Sequence, residues 1–241
     1  MPEGHSLVLA ARRIEPVIGQ QVTAGLLAGT GVSGVETQGK HLLVHGEDGR
    51  SLHVHLGMNG RVRLTAAGAG RGRHVLRTAA GDVVIAGTSR VEVVRGVRLR
   101  LGPDLLAGSF DAAAYLRRAR RLDRPVAELL LDQRVLAGIG NIVRAEVLWD
   151  LRQDPFAPTP SLSYRRLLEL AVVARQMLRI GVESHGRLPQ RVYRRTGRPC
   201  PRCAAPIDSV MQGADVPRRL YFCPRCQCAK RGQTPSGAQA S

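Results

Sequence analysis

The 241-residue chain has no cysteine before position 200, only two lysines, and aromatic residues at 3% of its positions. Each scarcity excludes something. Without early cysteines no disulfide framework can hold the body of the chain. Without aromatics its core must rest on Val, Leu, Ile and Ala, and at 44% hydrophobic residues there is enough of them to bury a real core. No apolar run is long enough to cross a bilayer, no basic amphipathic helix is visible, and the polar residues 1–6 are followed by no signal-like apolar stretch. A reducing cytoplasm is the expected compartment, with no membrane partner.

Acid is the other shortage. Asp and Glu number 19 against 36 Lys and Arg, leaving a formal charge of +17. A surplus of that size implies a polyanionic partner, and with membranes set aside nucleic acid is the better candidate. Guanidinium forks grip phosphate oxygens bidentately. A high-GC coding bias accounts for arginine over lysine, but not for the surplus over acid. Arg191, Arg194, Arg195, Arg198, Arg202, Arg218, Arg219 and Arg225 crowd one segment.

The five cysteines lie in that same segment, and four of them read Cys200-x2-Cys203-x19-Cys223-x2-Cys226. Two close pairs at that separation suit one tetrahedral Zn²⁺ site, since thiolates repel one another unless a cation holds them. A pair of disulfides is the alternative and needs an oxidising compartment. With all four ligand positions filled by protein, the zinc is expected to be structural. Cys228 is left over as a spare thiol.

Along the chain the hydrophobic period changes twice. Leu7, Ala11, Ile14 and Ile18 predict a helix directly behind the N-terminus. From His41 to about Leu101 the period is two: Leu52, Val54 and Leu56 alternate with His53 and His55, and Val97, Leu99 and Leu101 with Arg98 and Arg100. With turn signals at Asp48-Gly49, Asn59-Gly60 and Gly81-Asp82, this predicts an antiparallel sandwich or barrel with one basic face, ended by Gly102-Pro103. Helical periodicity then resumes, with Asp111 and Ser163 as N-caps and Pro125 at a first helical position.

Between two of these helices lies Leu136-Ala-Gly-Ile-Gly-Asn141. Gly138 and Gly140 permit positive φ and close backbone approach, and Asn141 sits where the next helix starts. Bare amides and a carboxamide there make a phosphate seat, or a plain interhelical turn. Together with Met1-Pro2-Glu3-Gly4 and Cys223-Pro-Arg-Cys-Gln227, in this order and spacing, the motif resembles the formamidopyrimidine-DNA glycosylase and endonuclease VIII family across residues 1–229. The resemblance implies an α+β multidomain fold. Its parts would be an N-terminal antiparallel β-sandwich with a leading helix (1–103), a helix–two-turn–helix domain (104–190), a zinc finger (191–229) and a disordered tail (230–241). A monomer would hold damaged DNA in the cleft between domains, in the cytoplasm at the nucleoid.

The resemblance also implies roles. Met1 would be removed and the secondary amine of Pro2 would attack C1′ of the damaged nucleotide. An α-amine titrates near ~7.7–8.0 against about 10.4 for lysine, so far more of it is neutral at pH 7. Glu3 would serve as acid and base beside it. Lys40, in Val35-Glu-Thr-Gln-Gly-Lys40, matches an endonuclease VIII lysine assigned to proton transfer in β-elimination; it and Lys230 are the only lysines. Arg218 matches a finger arginine that grips phosphate and is assigned to δ-elimination. Arg100 matches a DNA-contacting arginine. His55 and Met58, in His55-Leu-Gly-Met-Asn-Gly60, match a phosphate-contacting histidine and a void-filling methionine, and Asn141 belongs to the DNA-binding set. Plainer readings stand beside these: a helix N-terminus for Pro2-Glu3, a solvated strand end for Lys40, a solvent-facing strand position for His55, core packing for Met58.

His5 and Ser6 stand where both branches of the family usually carry Pro-Glu, and the lost carboxylate bears on hydrogen bonding around the flipped base. Gly4 and the short connection from Gly181 to Tyr193 favour the endonuclease VIII branch. The expected function is a bifunctional DNA glycosylase and abasic-site lyase of base-excision repair that prefers oxidised pyrimidines. An oxidised-purine glycosylase, a lyase acting on abasic sites alone and a non-catalytic damaged-DNA-binding protein are the alternatives.

Overall fold

The backbone of Glu3 is extended (φ −127°, ψ 178°), and its N–H is taken by the Ser6 hydroxyl at 3.4 Å, so helix α1 (Gly4–Ile14) starts one residue later. Leu7, Ala10 and Ile14 form its buried stripe. Pro16 has no N–H to give, and the chain leaves the helix through a single 3₁₀ turn at Glu15–Val17. Ile18, expected on the stripe, therefore lies beyond the helix and is exposed. The computed structural model describes residues 2–87, 90–213 and 217–227. Met1, Cys228, Lys230 and the expected disordered tail lie outside the described residues.

Eight strands follow: β1 (Ala24–Gly25), β2 (Val32–Gln38), β3 (His41–Gly46), β4 (Arg50–His55), β5 (Arg61–Thr65), β6 (His74–Thr78), β7 (Gly81–Ala86) and β8 (Arg90–Arg95). They make two antiparallel four-stranded sheets, ordered β1-β6-β7-β5 and β2-β3-β4-β8. Leu42, Val44, Leu52 and Val54 from one sheet meet Val62, Leu76, Val83 and Ile85 from the other, under the stripe of α1. Each such side chain, fully buried, contributes about 1.5–3 kcal/mol, which is how a core without aromatics holds.

Two details differ from the expectation. The turn anticipated at Gly81-Asp82 falls at residues 79–80, because Asp82 is a buried strand residue whose carboxylate accepts from Gly70 N at 2.9 Å and Arg77 Nη1 at 2.5 Å. The last strand stops at Arg95, where Gly96 turns with φ +65°, so Val97, Leu99 and Leu101 belong to no strand. That segment is tied instead to the helical half: Gly102 N donates to Gln133 O at 2.8 Å and Arg118 Nη1 to Leu101 O at 2.8 Å. The polar face of the second sheet carries His41, His45, His53 and His55 with Glu36, Glu92 and Arg90, while the outer face of the first sheet carries Arg61, Arg63 and Arg77.

The helical half consists of α2 (Ala112–Ala119), α3 (Val126–Leu129), α4 (Asn141–Asp150) and α5 (Tyr164–Glu183), followed by the hairpin β9 (Asp208–Gln212) and β10 (Arg218–Phe222). Asp111 caps α2 through Ala114 N at 2.8 Å and Ser163 caps α5 through Arg166 N at 3.1 Å. Pro125 is extended and precedes α3 rather than opening its first turn. Helix α4 is buried at every position but Asp150. Its polar residues therefore need partners, since an unpaired buried charge is costly. Glu146 finds them in the amides of Arg191, Val192 and Tyr193, at 2.8–2.9 Å. Leu220 and Phe222 of β10 join the core of α4 and α5, so the finger and the helices are packed as one.

Candidate active-site cleft and metal centre

Three chain segments meet at Glu3, and glycines let them. Gly4 N donates to Gly138 O at 2.9 Å, across a turn in which Gly138 takes φ +106°. The Gln133 side chain braces that turn, accepting from Gly138 N and donating to Ile139 O, both at 3.0 Å. Gly140 has an ordinary φ of −117°; its lack of a side chain matters for space, because a β-carbon there would sit 2.5–2.6 Å from the Glu3 side chain. The carboxylate passes through this gap to the first amides of α4, Ile142 N at 2.6 Å and Val143 N at 3.3 Å. The bare amides expected to seat a phosphate are thus taken by the protein's own carboxylate. Burial pushes the Glu3 carboxyl above its ordinary value, against the opposing pull of Lys40 and those amides.

Lys40 arrives from the sandwich. Gly39 (φ +59°) donates its N–H to Asp104 Oδ2 at 2.7 Å and packs against Ala137, which fixes the lysine against the glycine turn. Burial lowers the ammonium to about 8, with Glu3 pulling it up and Arg218 and Arg144 pushing it down. Pro2, Lys40, His55, Met58, Asn141 and Arg218 line one cleft of about 330 Å³. Arg218 Nη1 lies 3.3 Å from Met58 Sδ across it. Met58 is 51% exposed at the rim, which disposes of core packing as its role. Asn141 is held from behind: its Nδ2 donates to Arg219 O at 2.9 Å and its Oδ1 accepts from the buried Arg144.

The four cysteine sulfurs all lie within 4.8 Å of one another, with Cys200–Cys226 at 3.8 Å and Cys203–Cys223 at 3.5 Å. These are free thiols, too far apart for a disulfide. A tetrahedron with ~2.3 Å metal–sulfur bonds has an edge of about 3.8 Å, so the donor set fits a single divalent metal ion. Trp149 Nε1 donates to Cys200 Sγ at 3.3 Å, tying this centre to α4.

A formamidopyrimidine-DNA glycosylase N-terminal domain matches residues 4–91, and a formamidopyrimidine-DNA glycosylase H2TH domain matches residues 101–190. The chain belongs to the formamidopyrimidine-DNA glycosylase family. It is 36% identical to a formamidopyrimidine-DNA glycosylase of Moorella thermoacetica, over 77% of this chain and 78% of that one. It is 33% identical to a Streptomyces coelicolor protein named "Probable endonuclease 8 2", over 94% of both. A Lactococcus lactis formamidopyrimidine-DNA glycosylase mutant, solved in complex with Fapy-dG-containing DNA, superposes with a TM-score of 0.80 at 25% identity, covering 94% of this chain and 99% of that one.

Within this family of DNA glycosylases and abasic-site lyases, the residues singled out from sequence fall into two groups. Pro2, Lys40, His55, Met58, Asn141 and Arg218 converge on one cleft, with Glu3 buried behind Pro2 at the start of α4. Arg100 does not: it is exposed on the strandless stretch after β8. Sequence reasoning missed Gln133, which lines the cleft and braces its glycine turn, and Asp104 and Arg144, which hold the cleft from behind. Their signal, a polar residue beside a glycine turn or inside an apolar helix, is weak in one dimension. Among the described residues no helix is long and apolar enough to cross a membrane.

Adjoining Pro2 is a larger cavity of about 920 Å³, bordered by His5, Ser6, Arg63, Ile142 and Gln190. His5 is buried against Gly181, where a β-carbon would come 2.8 Å from its ring, and burial lowers it to about 4. The two residues that replace the usual Pro-Glu thus present a neutral imidazole and a hydroxyl.

Proposed function

We propose that this protein is a bifunctional DNA glycosylase and abasic-site lyase that removes oxidised pyrimidines. The observation that carries the reading is a cleft lined by Pro2, Lys40 and Arg218, with the buried Glu3 carboxyl next to Pro2 in the chain and within electrostatic reach of Lys40. With Met1 removed, the Pro2 nitrogen attacks C1′ and the damaged base leaves with a proton supplied by an acid in the cleft. The amine then loses its proton and its lone pair opens the sugar ring at C1′–O4′, with a proton delivered to O4′; the resulting iminium has no N–H to lose, so it remains an electron sink. Loss of a C2′ proton to a base then breaks the C3′–O bond, and a second elimination breaks C5′–O, releasing both phosphates. Glu3 and Lys40 are the proton carriers and Arg218 steadies the departing phosphate. Zinc in the four-cysteine centre supports the strand that carries Arg218. The protein works as a monomer on chromosomal DNA.

The preference for pyrimidines is supported by the connection after α5. Gly186 N is tied back to Gly181 O at 2.7 Å, and Glu146 holds the amides of residues 191–193, which leaves little chain to form a lid over a purine. The oxidised-purine reading is favoured instead by the Moorella relative's name.

Borohydride reduction of the enzyme mixed with abasic-site DNA tests the covalent step. A protein whose first residue is verified as Pro2 should be trapped on the strand, and one that keeps Met1 should not. Failure of the verified wild type to trap would remove the amine chemistry from this reading.

A further inference from the structure

The polar face of the second sheet carries a line of imidazoles that leads away from the cleft. In register, His41 faces His55 across β3 and β4, while His53 faces Glu92 across β4 and β8. His41 Nδ1 lies 2.7 Å from His53 Nε2 with the rings stacked at 4.9 Å, and His53 Nδ1 lies 2.9 Å from Glu92 Oε1. The His41 and His55 rings are 5.1 Å apart, and His55 lines the cleft. Gly57 N donates to His55 Nδ1 at 3.2 Å, which leaves Nε2 as the protonated, donating nitrogen of His55.

The bonding order dictates what His41 can offer. With Glu92 ionised and His53 neutral, His53 gives Nδ1–H to the carboxylate and accepts at Nε2. His41 must then donate through Nδ1–H, and its Nε2 carries a lone pair that repels a phosphate. When the line takes up one proton, His53 becomes a donor at both nitrogens, His41 accepts at Nδ1, and His41 Nε2 becomes an N–H. One proton added beside Glu92 thus changes His41, two rings away, from acceptor to donor.

We propose that His41 extends the phosphate contact already expected of His55, and that His53 and Glu92 are positioning residues that deliver a proton to it when DNA docks. The inference rests on the cleft being the DNA site. Burial first, then His55, His53 and Lys40, lowers His41 to about 4 in the free protein, so His41 is uncharged near neutral pH until an anion arrives. The charges facing the line are Lys40 at the start of β3, Arg90 on β8 at 3.6 Å from Glu92, the His45–Glu36 pair farther along the face, and Arg218 across the cleft beside Lys40. A phosphate favours the protonated line, so the bound state holds the proton to higher pH than the free state, and DNA binding tightens as pH falls.

The test is equilibrium binding of the zinc-loaded full chain to a duplex carrying an uncleavable tetrahydrofuran abasic analogue, by fluorescence anisotropy at constant ionic strength. Between about pH 7 and 5.5 the wild type should tighten several-fold, approaching tenfold per unit for one full proton. Glu92→Gln and His53→Gln should flatten that dependence to about twofold or less, at unchanged Tm, and Glu92→Asp should restore part of it. Lys40 and Arg90 are common to all of these proteins, so their effect cancels in the comparison. A variant that binds more weakly by the same factor at every pH, or one with the wild-type slope, overturns the relay. A wild type that binds no duplex at any pH overturns the DNA reading of the cleft itself.

Discussion

The carboxylate of Glu3 occupies the space that a side chain at Gly140 would fill: a β-carbon there would lie 2.6 Å from Oε1. The glycine is therefore a condition of the acid's position, because the side chain that reaches Ile142 N fills that gap. Gly140→Ala should push Glu3 off the start of α4 and cut glycosylase and lyase rates by about 10²–10⁴, the range of a lost general acid–base group. Glu3→Gln, which fits the gap but cannot carry the proton, should cost as much. DNA affinity should change little in either. Single-turnover rates with binding measured alongside decide it, and near-wild-type rates in Gly140→Ala would show that Glu3 works from elsewhere.

Lys40 sets an alkaline limit. Its ammonium, lowered to about 8 chiefly by burial, is protonated below that pH and neutral above it. If strand cleavage draws on the ammonium, the rate falls as pH rises through about 8. Lys40→Arg keeps the charge across this range, so that limb should disappear, at some loss of absolute rate because a guanidinium differs in shape. Lys40→Ala should be slow throughout. Rate profiles on a preformed abasic site read this directly, and an alkaline limb that persists in Lys40→Arg would assign it to another group.

What could be read in one dimension was what depends on short spacing. The cysteine pairs, the helix caps at Asp111 and Ser163, the Leu52–Val54 alternation and the glycine turn before Asn141 each declare themselves within a few residues. The contacts that make a site of them span the chain. Glu3 reaches amides 139 and 140 residues away, Gly39 finds Asp104, and Asn141 finds Arg219. Periodicity also overran its element: the alternation of Val97, Leu99 and Leu101 continues past Gly96, whose positive φ turns the backbone off the sheet. Alternation tells which residues share a face, as Arg61 and Arg63 do, but not that imidazoles and carboxylates will pair on the other sheet.

The metal centre has a built-in reporter. Trp149 is the only tryptophan of the chain, and its indole donates to Cys200 Sγ, one of the four ligand atoms. One zinc per chain is expected, absent in Cys223→Ser, and its removal by a chelator should change tryptophan emission in step with zinc release. Leu220 and Phe222 remain in the helical core, so the sandwich and helices should stay folded while Arg218 loses its support. DNA affinity should then fall by about tenfold or more. Chelated protein that cleaves at the native rate would mean that Arg218 does not depend on the metal.

Lesion choice turns on the cavity beside Pro2. Position 6 offers a hydroxyl already engaged by Glu3 N and close to His5 Nε2, and His5 is held neutral by burial. An oxidised purine presents several N–H donors that a carboxylate there could accept; Ser6 and a neutral imidazole accept them poorly. A saturated pyrimidine asks less, and its poor stacking lowers the cost of turning it out of the helix. Thymine glycol or dihydrouracil should therefore be excised faster than 8-oxoguanine opposite cytosine in single turnover, and Ser6→Glu should narrow the gap. Equal or faster removal of 8-oxoguanine by the wild type would reverse the preference. It would leave Pro2, Glu3 and Lys40 untouched, because attack at C1′ and the eliminations that follow are indifferent to which base has left.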